Sequence, residues 1–480
     1  MQNKDFFQEE ATISNTFQSD TLLKDYINKV IPDTYKKEVI ADLNSVGEKA
    51  SGEWFKWSQI AENIKPVLTQ YDSQGRRIDH IETSREWKNL EAAASSEGIV
   101  ATAYERKHQE FSRIYQMAKL YLYSPSSAFV GCPLAMTDGA ARAIELHGDD
   151  HLKATALKHL TSRDPKTFWT AGQWMTEKTG GSDVSGTSTV AKSIGGNQYE
   201  LSGTKWFTSA TTSPMALTLA RIEGDSNVKS GLSLFYLEVP NNKIEVHRLK
   251  GKLGTDALPT AELSLYGTKA TLMGGPNEGV KRIASVLNVT RIYSAIGALA
   301  HMRRCIDLAT NYATKRKAFG DYLINMPLHK KTLQDLEIEF AKCFKLTFLV
   351  IELLGKEETN KATDTEKKLL RALTPIVKLY TAKKCVVIAS ECLECFGGAG
   401  YIENTGIARL YRDAQVFAIW EGTTNILALD FLRACEKEGA LTTIIEQFKI
   451  DELKDEKYRK IENARELVFA VASGVIRSLQ

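Results

Sequence analysis

Nowhere does this chain run for the roughly 18 consecutive apolar residues that a membrane span needs; the best stretch, Leu346 to Leu354, is short and interrupted by Glu352. An excess of either charge is also missing. Against 62 Lys and Arg stand 59 Asp and Glu, leaving +3 over 480 residues, which gives no ground for a nucleic acid or an anionic membrane as partner. No G-x-G-x-x-G follows a strand-like run, so a Rossmann dinucleotide site is not expected. A lone C-x-x-C pair, Cys392 and Cys395, has no second C-x-x-C or H-x-x-H to complete it, and no metal site is expected. The N-terminus carries Asp5, Glu9, Glu10 and Asp20 without an apolar h-region or an Arg-rich stretch, and Arg477-Ser478-Leu479-Gln480 is not the usual peroxisomal tripeptide. Seven cysteines, an odd count, point to a reducing compartment. The expectation is a cytoplasmic protein, with the mitochondrial matrix or peroxisome left open.

What is present is an ordinary globular balance, 43% hydrophobic and 25% charged, at a length that calls for two or three domains. Residues 1–168 read as helical: Leu22, Leu23, Tyr26, Ile27, Val30 and Ile31 recur at helical spacing, and Ala101 to Ala118 continues in that vein. Over 169–280 the period shortens. Tyr199-Glu200-Leu201-Ser202 and Leu232 to Leu237 alternate, separated by turn clusters at Gly195-Gly196-Asn197, Asp225-Ser226-Asn227, Asn241-Asn242 and Gly274-Gly275-Pro276-Asn277. Short strands with such turns predict an antiparallel β domain. The helical period returns over 281–436, with long segments at about 281–318, 328–354 and 366–396, which should pack as a bundle. A helical tail, 437–480, carries the stripe Leu467, Val468, Val471, Val475 and Ile476.

The most informative segment is Tyr411-Arg412-Asp413-Ala414-Gln415-Val416-Phe417-Ala418-Ile419-Trp420-Glu421-Gly422-Thr423-Thr424-Asn425. It sets one carboxylate, Glu421, between a buried-looking apolar stretch and a small polar turn. A carboxylate against apolar surface resists ionisation and suits proton abstraction in a dry site, and the following turn lets N–H groups and hydroxyls approach a phosphate or carbonyl. Three further stretches matter with it: Met175-Thr176-Glu177-Lys178-Thr179-Gly180-Gly181-Ser182-Asp183, Gly203-Thr204-Lys205-Trp206-Phe207-Thr208-Ser209, and Lys315-Arg316-Lys317-Ala318-Phe319-Gly320, the last read as lying late in the first long C-terminal helix. A bound planar heterocycle with a phosphate chain needs hydrogen-bond partners along its edge, a planar neighbour, and cations or N–H groups for its phosphates. Thr176 offers a hydroxyl and an N–H, Trp206 a plane and Thr208 a second hydroxyl, with Phe207 facing the other way if the segment is a strand.

In order and spacing these motifs resemble the acyl-CoA dehydrogenase family over residues from about 20 to 435. The resemblance implies a helical N-terminal domain, a middle antiparallel β domain and a C-terminal α-helical bundle, with FAD as cofactor. It implies that Met175, Thr176, Trp206 and Thr208 contact the isoalloxazine ring and that Ser182 lies near the flavin and CoA phosphates. It places Arg316 at the pyrophosphate of a neighbouring subunit's FAD, Phe319 by the adenine, Gly397 and Gly398 in the loop approaching that cofactor, and Thr423 and Asn425 beside its AMP portion. Glu421 is the implied general base, and Arg291 the arginine behind the substrate pocket. A homotetramer, as a dimer of dimers, is implied with them; the electron acceptor is not.

Glu394 stands where many members carry Gln, and Asp256 where Arg is frequent. With the added length before Thr176 and at the C-terminus, these resemble the long, adaptive-response (AidB-like) branch, as do Leu373-Thr374-Pro375 and Arg409-Leu410-Tyr411-Arg412. The leading expectation is α,β-dehydrogenation of medium-to-long-chain acyl-CoA. The competing one is a flavin-containing acyl-CoA or fatty-acid binder with little turnover that regulates lipid metabolism. An oxidase shares the fold, and a nucleic-acid role is disfavoured because Asp451, Glu452, Asp455 and Glu456 are mixed with the lysines of the tail.

Overall fold

The computed structural model describes residues 7–224, 231–240 and 243–479. The chain falls into two compact units interleaved along the sequence: Met1–Glu53, His108–Pro125 and Ser294–Gln480 form one, and Trp54–Lys107 with Ser126–Tyr293 the other. The turn clusters Asp225-Ser226-Asn227 and Asn241-Asn242 lie outside the described residues.

The first unit is helical. Three long helices, Gly279–Lys315 (which begins in the second unit), Pro327–Glu358 and Asp364–Glu394, follow the three expected segments. Pro327 opens the second at a position whose N–H would be unsatisfied anyway. Thr363 and Glu366 form a capping box at the start of the third. Phe340, Phe344 and Phe348 recur at i,i+4 on the Pro327–Glu358 helix and are all buried, with Tyr26 of the Thr21–Val30 helix 5.6 Å from Phe344 and 4.7 Å from Phe348. The tail folds as a helix, Ala464–Ser478, and its predicted apolar stripe is buried throughout. The Gly279–Lys315 helix is long and apolar enough to cross a membrane by composition, which the search for an unbroken apolar run did not anticipate. Its most apolar window is mostly buried within the fold, as a core helix requires.

The second unit carries the sheet. After a hairpin of β1 (Val67–Tyr71) and β2 (Arg77–Glu82) come β3 (Ala171–Trp174), β4 (Val190–Gly195), β5 (Gln198–Ser209), β6 (Met215–Ile222), β7 (Ser233–Glu238), β8 (Ile244–Leu249) and β9 (Thr260–Leu272). The pairings β6–β4–β5–β9–β7–β6 close on themselves, with β3 added to β6 and β8 to β9. Most are antiparallel as expected, but β3 and β4 run parallel to β6 over short registers. Trp174, Leu201, Phe235, Leu263 and Leu265 fill one core cluster. A second cluster joins Leu217, Leu219 and Leu234 to Ala140 and Ile144 of the Gly131–His147 helix and to Val286. There Gly139 is required by close packing, since a Cβ would come 2.6 Å from Val286 Cγ1.

Two expectations are corrected. The N-terminal part is not wholly helical, because the β1–β2 hairpin interrupts it. Its residues alternate only between exposed and half-buried, so no buried face announces a strand. The helix expected over Ala101 to Ala118 breaks into Ala101–Glu105 and Ser112–Tyr123, with Arg106 left-handed between them at φ +48°.

Arg113, on the Ser112–Tyr123 helix, anchors the end of the Pro327–Glu358 helix through a fully buried bidentate pair with Glu358, at 2.6 and 2.8 Å. Removing one partner strands the other charge. Arg113→Met should cost about 3–5 kcal/mol in urea unfolding, and adding Glu358→Leu should recover most of that loss.

Candidate functional site

In the sheet unit, Met175 and Thr176 leave β3 and meet β5, where Trp206 N donates to Thr176 O at 2.9 Å. Thr208 is fully buried, and its hydroxyl donates to Ala261 O at 2.8 Å, leaving its lone pairs as the available function. Strand alternation does not separate Trp206 from Phe207 as expected. A β-bulge lies between Lys205 and Thr208, and one ammonium, Lys250 Nζ, sits 3.9 Å from the Trp206 ring centroid and 4.5 Å from that of Phe207. Ser182 stands exposed on the turn after Thr176. Gly181 must be glycine there, since a Cβ would come 2.8 Å from Thr176 Oγ1. Arg291 is nearly buried on the Gly279–Lys315 helix, and Asp256 pairs with Lys65 at 3.3 Å.

Two residues inside the quoted motifs were given no role by the sequence reading. Glu177 accepts from Lys205 Nζ at 2.8 Å, from Ser188 N and Oγ at 2.6 Å each, and from Thr189 Oγ1 at 2.5 Å. Lys205, fully buried, also donates to Leu219 O at 3.1 Å. Glu177 directly follows Thr176 and Lys205 directly precedes Trp206, so this pair locks the Thr176 and Trp206 segments together. The signal was legible: alternation puts Lys205 on the same face as buried Tyr199 and Leu201, where a lone ammonium demands a partner. Burial alone would raise the Glu177 carboxyl, but the Lys205 ammonium and the Ser188 and Thr189 donors outweigh it and hold it at about 2.

In the helical unit, the Arg316–Gly320 motif is not helical as expected. The Gly279–Lys315 helix stops first, and Lys317–Ala318 pairs with Asp321–Tyr322 in a hairpin. Its two loop residues, Phe319 (φ +52°) and Gly320 (φ +90°), both have positive φ, the signature of a type I′ turn. Phe319 is therefore displayed fully exposed. Arg316 Nη1 donates to Gln8 Oε1 at 3.3 Å. Gly397 and Gly398 lie exposed past the Asp364–Glu394 helix, beyond an exposed Glu394.

Arg412 holds Glu403 at 2.6 and 2.9 Å, and fully buried Asp413 lies 3.6 Å from Arg409. The Ile407–Phe417 helix then ends and the chain turns through Glu421 (φ +55°) and Gly422 (φ +105°) into the Thr424–Glu438 helix. A left-handed non-glycine residue costs about 1–3 kcal/mol, and such strain collects at functional turns. The stretch before Glu421 is less buried than its sequence implies: Phe417 is inside, but Ile419 is 60% exposed. Thr423 and Asn425 are exposed at the start of the next helix. Lys378, another fully buried lysine passed over by the sequence reading, donates to Gly422 O at 2.6 Å. Its signal was a single charge inside the apolar run Leu373 to Tyr380.

Comparison with known proteins shows which family the chain belongs to. Models for the acyl-CoA dehydrogenase C-terminal domain match 277–435, for the middle domain 172–267, and for the adaptive response protein AidB N-terminal domain 8–165. The chain is 42% identical to acyl-CoA dehydrogenase family member 11 of Caenorhabditis elegans, over 96% of this chain and 78% of that protein. The chain belongs to the acyl-CoA dehydrogenase family. Its structure is similar to the Bd2924 apo-form (TM-score 0.96, 55% identity, 99% of both chains). It is also similar to Caenorhabditis elegans ACDH-11 in complex with C11-CoA (TM-score 0.96, 39% identity, 100% of this chain and 89% of that one).

Members of this family are generally FAD-dependent. The residues present fit that cofactor's chemistry: a half-buried Trp206 at the bulge, a Gly181 turn too tight for a side chain beside Thr176, and an aromatic held in solvent by a left-handed turn.

The Glu177–Lys205 lock makes a prediction with a definite sign. The folded carboxyl lies below its ordinary 4.5, so its stabilisation is present above that pH and fades as pH falls toward about 2. Glu177→Gln should lower the melting temperature at pH 7, and the gap to wild type should narrow in melts taken between pH 4.5 and pH 3.

Proposed function

We propose that this chain is a FAD-dependent acyl-CoA dehydrogenase that converts medium-to-long-chain acyl-CoA to trans-2-enoyl-CoA, with Glu421 as general base. The Glu421 turn carries the reading: a half-buried glutamate in left-handed backbone, followed by a glycine whose carbonyl is gripped by a buried ammonium. The C11-CoA bound to a relative of 39% identity supports the chain-length class.

The α-hydrogen of an acyl thioester is too weakly acidic to leave unaided, and Glu421 would accept it as a proton. General-base catalysis of this kind contributes about 10²–10⁴-fold. FAD, when bound, supplies the acceptor for the β-hydrogen, which leaves with its electron pair. Loss of a proton from Cα and a hydride from Cβ leaves the trans-2 double bond. Met175, Thr176, Trp206 and Thr208 would hold the flavin ring, and Ser182 would serve the phosphates of FAD and CoA. Arg291 would lie behind the substrate.

Arg316, Phe319, Gly397, Gly398, Thr423 and Asn425 would hold the pyrophosphate and AMP portion of a neighbouring subunit's FAD. The exposed Phe319 supports that arrangement and the homotetramer that goes with it. The seven free cysteines support a reducing compartment.

The match to the AidB N-terminal domain keeps a second reading in view, a flavin-containing acyl-CoA binder with little turnover. Anaerobic absorbance titration with acyl-CoAs of increasing length separates the two. Rapid loss of the oxidised flavin band at one length class is expected; a perturbed but unreduced band with tight binding would favour the binder. Glu421→Gln should keep its FAD and lose bleaching by about 10²–10⁴-fold, and normal bleaching would remove the base assignment. Arg316→Ala should lower both FAD occupancy and the oligomeric mass in light scattering; an unchanged tetramer with full flavin would count against the shared site.

A further inference from the structure

Lys378 has no access to water, yet it sits midway along the Asp364–Glu394 helix among buried Ile376, Val377 and Leu379. Burying an ammonium is unfavourable unless hydrogen bonds replace its hydration. One of its bonds is directed at the carbonyl of the residue after Glu421, at 2.6 Å. The same helix face fixes the far side of this turn as well: seven residues earlier, Arg371 pairs with Asp430 of the Thr424–Glu438 helix at 2.7 Å. The chain reaches the first of these anchors through two left-handed residues, Glu421 and Gly422. The glycine side of the turn is tight, since a Cβ on Gly422 would come 3.1 Å from Leu427 Cδ2.

A peptide carbonyl is rigidly coupled to the ψ of its own residue, and its plane to the residue that follows. Holding the Gly422 oxygen therefore fixes the Gly422 conformation and restricts the relaxation open to Glu421 before it. A left-handed glutamate left without such a restraint would relax toward ordinary backbone, swinging its carboxylate away. We propose that Lys378 is a positioning residue: through the Gly422 carbonyl it holds the Glu421 turn in the strained form that aims the carboxylate at the substrate. This rests on Glu421 being the base. Lys378 itself need touch neither substrate nor cofactor.

The test uses the full-length flavoprotein, with stopped-flow anaerobic reduction by the acyl-CoA that bleaches it fastest. Lys378→Met is expected to keep FAD stoichiometry and acyl-CoA affinity while the limiting reduction rate falls on the order of 10²-fold, the cost of a misplaced catalytic group. Deuterium at the substrate α-carbon should slow this variant more than wild type, because removal of that hydrogen becomes the slow event. Lys378→Gln, which keeps a donor without the charge, should recover part of the rate. It also carries the test if the methionine variant does not fold. Equal losses of FAD, affinity and rate, with an unchanged isotope effect, would mean a merely structural lysine and overturn the proposal. Glu421→Gln is run alongside. If it is inactive while Lys378→Met or Lys378→Gln reduces at the wild-type rate, only the positioning role falls; if it bleaches normally, the base reading falls and takes the positioning role with it.

Discussion

Lys205 and Lys378 are both sealed from water, and each ammonium is held beside a segment that bears candidate site residues in its own unit. In the sheet unit Lys205 reaches Glu177 and the Leu219 carbonyl; in the helical unit Lys378 reaches the Gly422 carbonyl. A buried ammonium is intolerant of partial satisfaction, so each fixes the geometry around it more tightly than apolar packing would. Apolar contacts are non-directional and let a turn slide. A short N–H···O bond from a side chain that cannot fall back on water does not. The segments at Thr176 and Trp206, and the turn that bears Glu421, are each tied down by one of these two lysines.

Strain is distributed with the same logic. Two of the left-handed non-glycine residues coincide with functional candidates, Phe319 and Glu421, and each is followed by a glycine that also has positive φ. In the hairpin the strain displays an aromatic ring outward; between the Ile407–Phe417 and Thr424–Glu438 helices it turns the backbone at Glu421. Neither is accounted for by local propensity. Both are what a fold does when a side chain must point where regular structure would not send it.

Membership of the acyl-CoA dehydrogenase family, and the fold of helical, β and helical domains, are settled by the matches over nearly the whole chain. The reaction and its base are proposed from the Glu421 turn, and the substrate length from the C11-CoA bound to a relative. The long N-terminal region and the docked Ala464–Ser478 helix, whose buried Val471 and Val475 face the bundle, add packing to this frame without supplying a residue to the proposed chemistry.

Sequence by itself determined the order helix, β, helix and the three long helices, because periodicity of 3.6 or 2 survives along any sufficiently long buried face. It named Glu421, Trp206 and Arg316 from motif order alone. It did not show the hairpin at 67–82, whose faces are only half-buried, or the loss of alternation at Trp206 and Phe207, which a one-residue bulge causes. It read Arg316–Gly320 as helix end, because positive φ at Phe319 cannot be inferred from a phenylalanine. Above all it left Lys205 and Lys378 as unremarked charges. Which acceptor a buried ammonium finds depends on segments 28 or 44 residues away in the chain, and only the tertiary structure brings Glu177 and Gly422 within a hydrogen bond of them.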